Sequence, residues 1–233
     1  MNIIGHRGVR NIGENTIESI CNIKNYNHNL FNFGIEIDVQ LLSDDQFICY
    51  HDKDYNGKPI TEYKYTDINK NIPKLEDILR NFIFTRSYLL NIEVKLYDEI
   101  SDNKNICTKL LNLINKYKME DCCLISSFDN TVIDYFIENT NIKTSLIFYD
   151  TFDYEKINKY YNKGVKYLVI DKQLVNKFIE KFAFTDINLF IFTFFCCETC
   201  YDDDKKLIKK LKYRDNIYFI TDNINNVMEA LKE

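Results

Sequence analysis

Eight apolar β-type stretches, segments of helical periodicity between most of them, and the lack of any G-x-G-x-x-G or Walker turn together predict an α/β fold. Strands alternating with helices build a parallel sheet covered on both faces, and eight such units suggest closure into a single (β/α)8 TIM barrel. An open doubly wound sheet usually has fewer strands and a glycine-rich phosphate turn.

The first strand candidate, residues 3–5, runs straight into the glycine turn Gly5-His6-Arg7-Gly8. The second, 35–39, is followed after the polar Ser43-Asp44-Asp45-Gln46 by a short apolar stretch at 47–50, read as an extra hairpin attached to the second barrel strand. A loop over 52–72 contains Asn56-Gly57 and Pro59 and is too short to make a domain. Leu75, Ile78, Leu79 and Phe82 then recur at helical spacing before the strand at 89–94. Ile106, Leu110, Leu113, Ile114 and Tyr117 mark the next helix, leading to strand 122–125, helix 132–137 and strand 144–148. Strand 167–170, helix 175–182, strand 189–193, helix 207–211 and strand 217–220 complete the alternation. With only 6 Gly and 2 Pro and no linker-like stretch, residues 1–233 are expected to form one domain.

The balance of 30 Lys+Arg against 35 Asp+Glu gives a net charge of −5, and the lysines are spread singly among acids. Such a chain has no field to attract polyphosphate, so a small-molecule partner is expected and nucleic acid is not. The longest mainly apolar run, 189–197, is about half of the roughly 20 residues a membrane-spanning helix requires. Met1-Asn2 leads directly into the first strand candidate, so no secretory leader is expected, and the 8 Cys lack the spacing of a disulfide scaffold. Both features lead us to expect reduced thiols in a cytoplasmic setting.

Chemistry concentrates at the strand ends. His6 and Arg7 sit between two glycines directly after the first strand, where the backbone can bend sharply and a ligand approach closely. In Glu36-Ile37-Asp38, residues two apart on a strand share a face. Glu93-Val94-Lys95 repeats the geometry on the next barrel strand, adding a third carboxylate and an ammonium. Like charges pointed together into a low-dielectric interior cost several kcal/mol unless compensated. The expected compensation is one divalent cation held by Glu36, Asp38 and Glu93; oxygen donors suit Mg2+ or Ca2+. An internal ion-pair cluster with Lys95 is the alternative. His51-Asp52 closes the hairpin, bringing a second histidine back to the same mouth. Two histidines at one site suit general acid–base work on a phosphate diester, with Arg7 and Lys95 clamping phosphoryl oxygens.

These residues carry a family resemblance. Gly5-His6-Arg7-Gly8, Glu14-Asn15-Thr16, Glu36-Ile37-Asp38-Val39, His51-Asp52, Ile72-Pro73-Lys74-Leu75-Glu76-Asp77-Ile78-Leu79, Asn91-Ile92-Glu93-Val94-Lys95, Ser126-Ser127-Phe128 and Ile220-Thr221-Asp222 resemble, in order and spacing, the motifs of the glycerophosphodiester phosphodiesterase family. The resemblance implies a TIM barrel, a divalent metal, and hydrolysis of glycerophosphodiesters to sn-glycerol 3-phosphate and an alcohol. Position by position it implies His6 and His51 as the acid–base pair, Glu36, Asp38 and Glu93 as metal ligands, and Arg7 and Lys95 as phosphate contacts. Asn15 would support the site from behind by bonding loop backbone groups. Which histidine is base, and whether water or the glycerol hydroxyl attacks, stay open. A phospholipase D-like activity on lysophospholipids or sphingomyelin, or a non-catalytic barrel binding phosphorylated metabolites or a protein, are the other readings.

The chain departs from the family pattern at Gly13, at Leu42-Ser43 and at Phe192, and residues 53–58 replace a longer tract after His51-Asp52. Headgroup preference is therefore open, and a wider mouth is expected. Cys197-Glu198-Thr199-Cys200, next to Cys196, has the spacing of a redox or zinc half-site. Without a nearby histidine it is expected to be ordinary reduced cysteines. Residues 201–212 are expected to form a solvated charged helix, the aromatic Tyr160-Tyr161 to pack on the barrel, and His28 to lie on the surface.

Overall fold

The computed structural model describes residues 1–26, 29–82, 87–97, 103–182 and 186–233, so His28 lies outside the described residues. In chain order the elements are β1 (Asn2–Gly5), α1 (Ile17–Cys21), β2 (Asn32–Leu41), β3 (Phe47–Cys49), β4 (Asp54–Tyr55), β5 (Lys58–Pro59), α2 (Leu75–Phe82), β6 (Leu89–Val94), α3 (Asn103–Tyr117), β7 (Cys123–Ser127), α4 (Asn130–Asn139), β8 (Lys143–Phe148), α5 (Tyr154–Asn162), β9 (Tyr167–Asp171), α6 (Val175–Lys181), β10 (Asn188–Phe194), α7 (Tyr201–Leu211), β11 (Ile217–Thr221) and α8 (Ile224–Lys232). The strands β1, β2, β6, β7, β8, β9, β10 and β11 pair in that order, and β11 pairs back to β1 in parallel, so the 8-strand barrel closes. The additional hairpin is β3, antiparallel to β2 with Val39 opposite Cys49.

Alternation along the strands divides the core into two layers. Ile3, Ile35, Ile37, Leu90 and Ile92 face outward into a continuous layer with helix residues such as Ile78, Leu110 and Ile133. Ile4, Leu124, Ile147, Val169, Phe190 and Ile220 point inward and fill the barrel. Above that inner plug, the inward positions of β2 and β6 change from apolar to acidic, and the site begins there.

Helix starts follow from short polar caps: Thr16, Asp129, Asp153 and Asn223 each accept a backbone N–H of the first turn. In α7 the acids Asp202, Asp203 and Asp204 precede Lys209 and Lys210, as the helix dipole favours. The expected solvation of this charged segment fails at Asp204, which is buried. Its carboxylate accepts the Phe195 N–H at 2.6 Å and pairs with Lys172 at 2.8 Å, tying α7 to the end of β10. Tyr160 is buried in the outer layer, as its aromatic character suggests. Among the described residues no helix is long and apolar enough to cross a membrane.

Candidate active site

The turn after β1 is shaped by glycine. Gly8 has φ +98°, and a Cβ there would lie 2.4 Å from Ser19 Oγ, so only glycine lets the turn pack on α1. Arg7 itself has a left-handed φ of 56°. This conformation aims its backbone N–H at Glu36 Oε2, 2.9 Å away, and sends its carbonyl to the Asn15 N–H at 2.7 Å. Its guanidinium donates to Glu14 Oε2 at 2.8 Å and stands 3.3 Å from Asp38 Oδ2.

Parallel pairing of β2 with β6 sets Asp38 opposite Glu93, with Glu36 two residues back on the same face. One carboxylate oxygen from each of Glu36, Asp38 and Glu93 falls within 4.8 Å of the others. Lys95 enters this group, 2.5 Å from Glu93 Oε1 and 3.2 Å from Asp38 Oδ1. Asn15 bonds Asp38 rather than loop backbone: its amide donates to Asp38 Oδ2 at 3.0 Å, and its side-chain carbonyl accepts the Asp38 N–H at 3.2 Å. The left-handed Asn15 backbone, φ 52°, is what turns the side chain inward.

The ion-pair alternative accounts for Asp38, offsets the burial of Glu93 only in part, and fails for Glu36. Burial pushes up the Asp38 carboxyl, but Lys95, Arg7 and Asn15 outweigh it and hold the group below its usual range. Burial, followed by the charges of Asp38 and Glu93, drives Glu36 well above the usual range. Burial likewise lifts Glu93 to about 7 despite Lys95. Glu36 Oε1 is buried with no hydrogen-bond partner among the described residues. An orphaned buried oxygen beside two further carboxylates is the donor set of a hard divalent cation, so these residues fit such an ion.

Both imidazoles face the same cavity, of about 480 Å³, which is also lined by Arg7, Glu36, Asp38, Glu93 and Lys95. His6 Nδ1 is 2.7 Å from Asp222 Oδ1, and Arg10 pairs with the other Asp222 oxygen. His51 Nδ1 is 2.8 Å from Asp52 Oδ1, and the Tyr97 hydroxyl donates to the His51 carbonyl. Burial lowers the His51 imidazole below its ordinary value, against the opposing pull of Asp38. The far wall is apolar: Phe128, Ile147, Tyr149, Val169, Phe192 and Ile220, with Tyr149 and Phe192 stacked at 6.3 Å. Among the described residues, none of 53–58 lines the cavity.

All of the sequence-predicted site residues therefore converge, His6, Arg7, Glu36, Asp38, His51, Glu93 and Lys95 at the cavity and Asn15 behind it. Asp222 and Glu14, which lie in motifs quoted for the resemblance, and Arg10 join them, although sequence reasoning assigned none of the three a role. The signal for Asp222 was present, a polar Thr221-Asp222 pair ending the last strand, where barrel enzymes place functional groups.

No protein-family model matches the chain. Among curated proteins it is 29% identical to a "Glycerophosphodiester phosphodiesterase" of Bacillus altitudinis over 148 residues, 54% of this chain and 57% of the relative. A protein of the same name from Caldanaerobacter subterraneus subsp. tengcongensis is 29% identical over 152 residues, 55% of this chain and 58% of the relative. These matches span little more than half the length of either relative. Solved structures match the whole barrel. A glycerophosphodiester phosphodiesterase from Parabacteroides distasonis aligns with TM-score 0.79 at 20% identity, over 99% of this chain and 96% of that one. An Oleispira antarctica phosphodiesterase in complex with the product sn-glycerol-3-phosphate aligns with TM-score 0.80 at 16% identity, over 100% and 97%.

Proposed function

We propose that this chain, whose curated relatives and structural neighbours are glycerophosphodiester phosphodiesterases, is itself a cation-dependent phosphodiesterase that releases sn-glycerol 3-phosphate and an alcohol. The observation that carries the reading is the carboxylate triad with its orphaned Glu36 oxygen, set in one cavity with two histidines. The product bound in the Oleispira antarctica neighbour supports the same substrate class.

Glu36, Asp38 and Glu93 would hold one Mg2+ or Ca2+ ion, which when bound supplies neutralising charge for the phosphoryl oxygens. Arg7 and Lys95 add positive charge at the same rim and orient the diester. Asp222 and Asp52 engage Nδ1 of His6 and His51, which leaves Nε2 of each ring to exchange a proton with substrate. One imidazole takes the proton of the attacking hydroxyl or water, and the other gives a proton to the departing alkoxide. Burial shifts His51 toward its neutral form, the form a proton acceptor needs.

A second reading has one observation in its favour. The apolar wall of Phe128, Tyr149 and Phe192 at an open mouth suits a bulky or acylated alcohol, as in lysophospholipids. A panel of diesters, from glycerophosphocholine to lysophosphatidylcholine and sphingomyelin, assayed with wild type, His51→Ala and Glu36→Gln, tests both. Glycerol 3-phosphate release that is lost in both variants supports the first reading, and preference for the acylated substrates supports the second. Tight binding of diesters without turnover would favour a non-catalytic barrel.

A further inference from the structure

At the same mouth, outside the chemistry proposed above, the chain gathers three thiols. After β10, Phe195 takes a left-handed φ of 55°, which turns the chain sharply before Cys196 and Cys197. A single 3-10 turn, Glu198–Cys200, then brings Cys200 back toward the pair. The sulfurs of Cys196 and Cys200 are 3.8 Å apart and those of Cys197 and Cys200 are 3.0 Å apart. All three lie within 4.8 Å of one another. Lys172 Nζ stands 3.9 Å from Cys196 Sγ and is itself paired with Asp204. Cys49, Cys107 and Cys123 are buried, as packing cysteines usually are, whereas Cys196 and Cys197 are exposed.

The geometry points to a metal site: Cys196, Cys197 and Cys200 bind one thiophilic divalent cation of the zinc class as a three-thiolate set, with the fourth position open to water at the cavity mouth. Thiolates each about 2.3 Å from a tetrahedral zinc stand about 3.8 Å from one another. The Cys196–Cys200 pair already has that separation. Cys197 must move away from Cys200 by about 0.8 Å, a rotamer adjustment open to an exposed side chain. Each thiol gives its proton to solvent as it binds, and the Lys172 ammonium offsets part of the charge of three thiolates around a dication.

Donor chemistry separates this site from the carboxylate triad. Thiolates select soft ions, whereas three carboxylates select Mg2+ or Ca2+. The mouth would therefore carry two cation sites of opposite preference, with Cys196 lining the cavity that the triad also faces. No histidine is needed, because water completes the set. The sequence spacing shows a Cys-x-x-Cys pair, and only the folded turn shows that Cys196 joins it.

The test is a cadmium titration of the fully reduced, metal-free chain in excess Mg2+, read by thiolate-to-cadmium charge-transfer absorption, which carboxylates do not produce. The expected result is a rise that breaks at one equivalent and is displaced by zinc. Cys197→Ser and Cys200→Ser should each weaken binding at least tenfold, while Cys21→Ser and Glu36→Gln leave the titration unchanged. A wild-type rise with no break, or Cys197→Ser and Cys200→Ser titrations that match wild type, would overturn the proposal.

Discussion

Asp222 Oδ1 stands 2.7 Å from His6 Nδ1, joining the end of β11 to the turn after β1 across the seam that closes the barrel. On the proposed acid–base reading, with His51 as base, this carboxylate would orient the His6 ring and hold it as the imidazolium that gives up a proton. Burial alone would raise Asp222, but its bonds to His6 and Arg10 hold it below the usual carboxylate range, so it stays ionised at working pH. Asp222→Asn should lower kcat on the order of 100-fold with little change in KM, because the proposed proton donor would be misoriented and less readily protonated while the diester contacts stay in place. Steady-state kinetics on glycerophosphocholine check this, and an unchanged kcat would detach Asp222 from the reaction.

Burial sets His51 below the ordinary value of 6.5. A cation on Asp38 would act in the same direction by cancelling the carboxylate that opposes the shift. A group depressed in the folded state contributes stability above its unfolded value and loses that contribution as pH falls through the folded one. An NMR titration of the imidazole, assigned by its loss in His51→Ala, should show a midpoint below 6.5 that falls further when Mg2+ is added. A midpoint above 7 would leave His51 mostly charged at pH 7 and remove it as the neutral base, and one that does not lie below 6.5 would contradict the burial effect.

Metal binding should register as stability. Free cation at one hundred times Kd adds about 2.7 kcal/mol, which for a chain of this size raises Tm by roughly 5–10 °C. Glu36→Gln should lose most of that shift, since it removes an anionic donor of the triad whose buried Oε1 has no hydrogen-bond partner among the described residues. Differential scanning fluorimetry with Mg2+, Ca2+ and chelator reads the effect, and equal shifts in wild type and variant would place the ion elsewhere.

Gly8→Ala should destabilise the protein by at least about 1–2 kcal/mol, since an L-residue at that left-handed φ is strained before any contact is counted. The new Cβ also meets Ser19, so the His6-Arg7 turn should shift and activity fall further than stability. Thermal unfolding and kcat measured together distinguish this from simple loss of folded protein.

The barrel was legible because buried parallel strands leave continuous apolar runs, and the triad because period-two carboxylates on adjacent strands cannot be explained as core. Asp222 and Arg10 were given no role, since their pairing is set by barrel closure: His6 and Asp222 are 216 residues apart in sequence. Asp204 reads as one acid in a solvated run, and only the fold shows it sealed beneath Phe195 and Lys172. α5 went unread because Ile157 and Tyr160 alone are buried among its polar residues, and α1 because five residues are too few to show a period.

Glycerol 3-phosphate release from glycerophosphocholine, followed in Mg2+, in Ca2+ and in excess EDTA, tests the triad as a cation site most directly. Turnover should require the added cation, cease in EDTA and return when the ion is restored. Undiminished turnover in EDTA would take Glu36, Asp38 and Glu93 out of the chemistry.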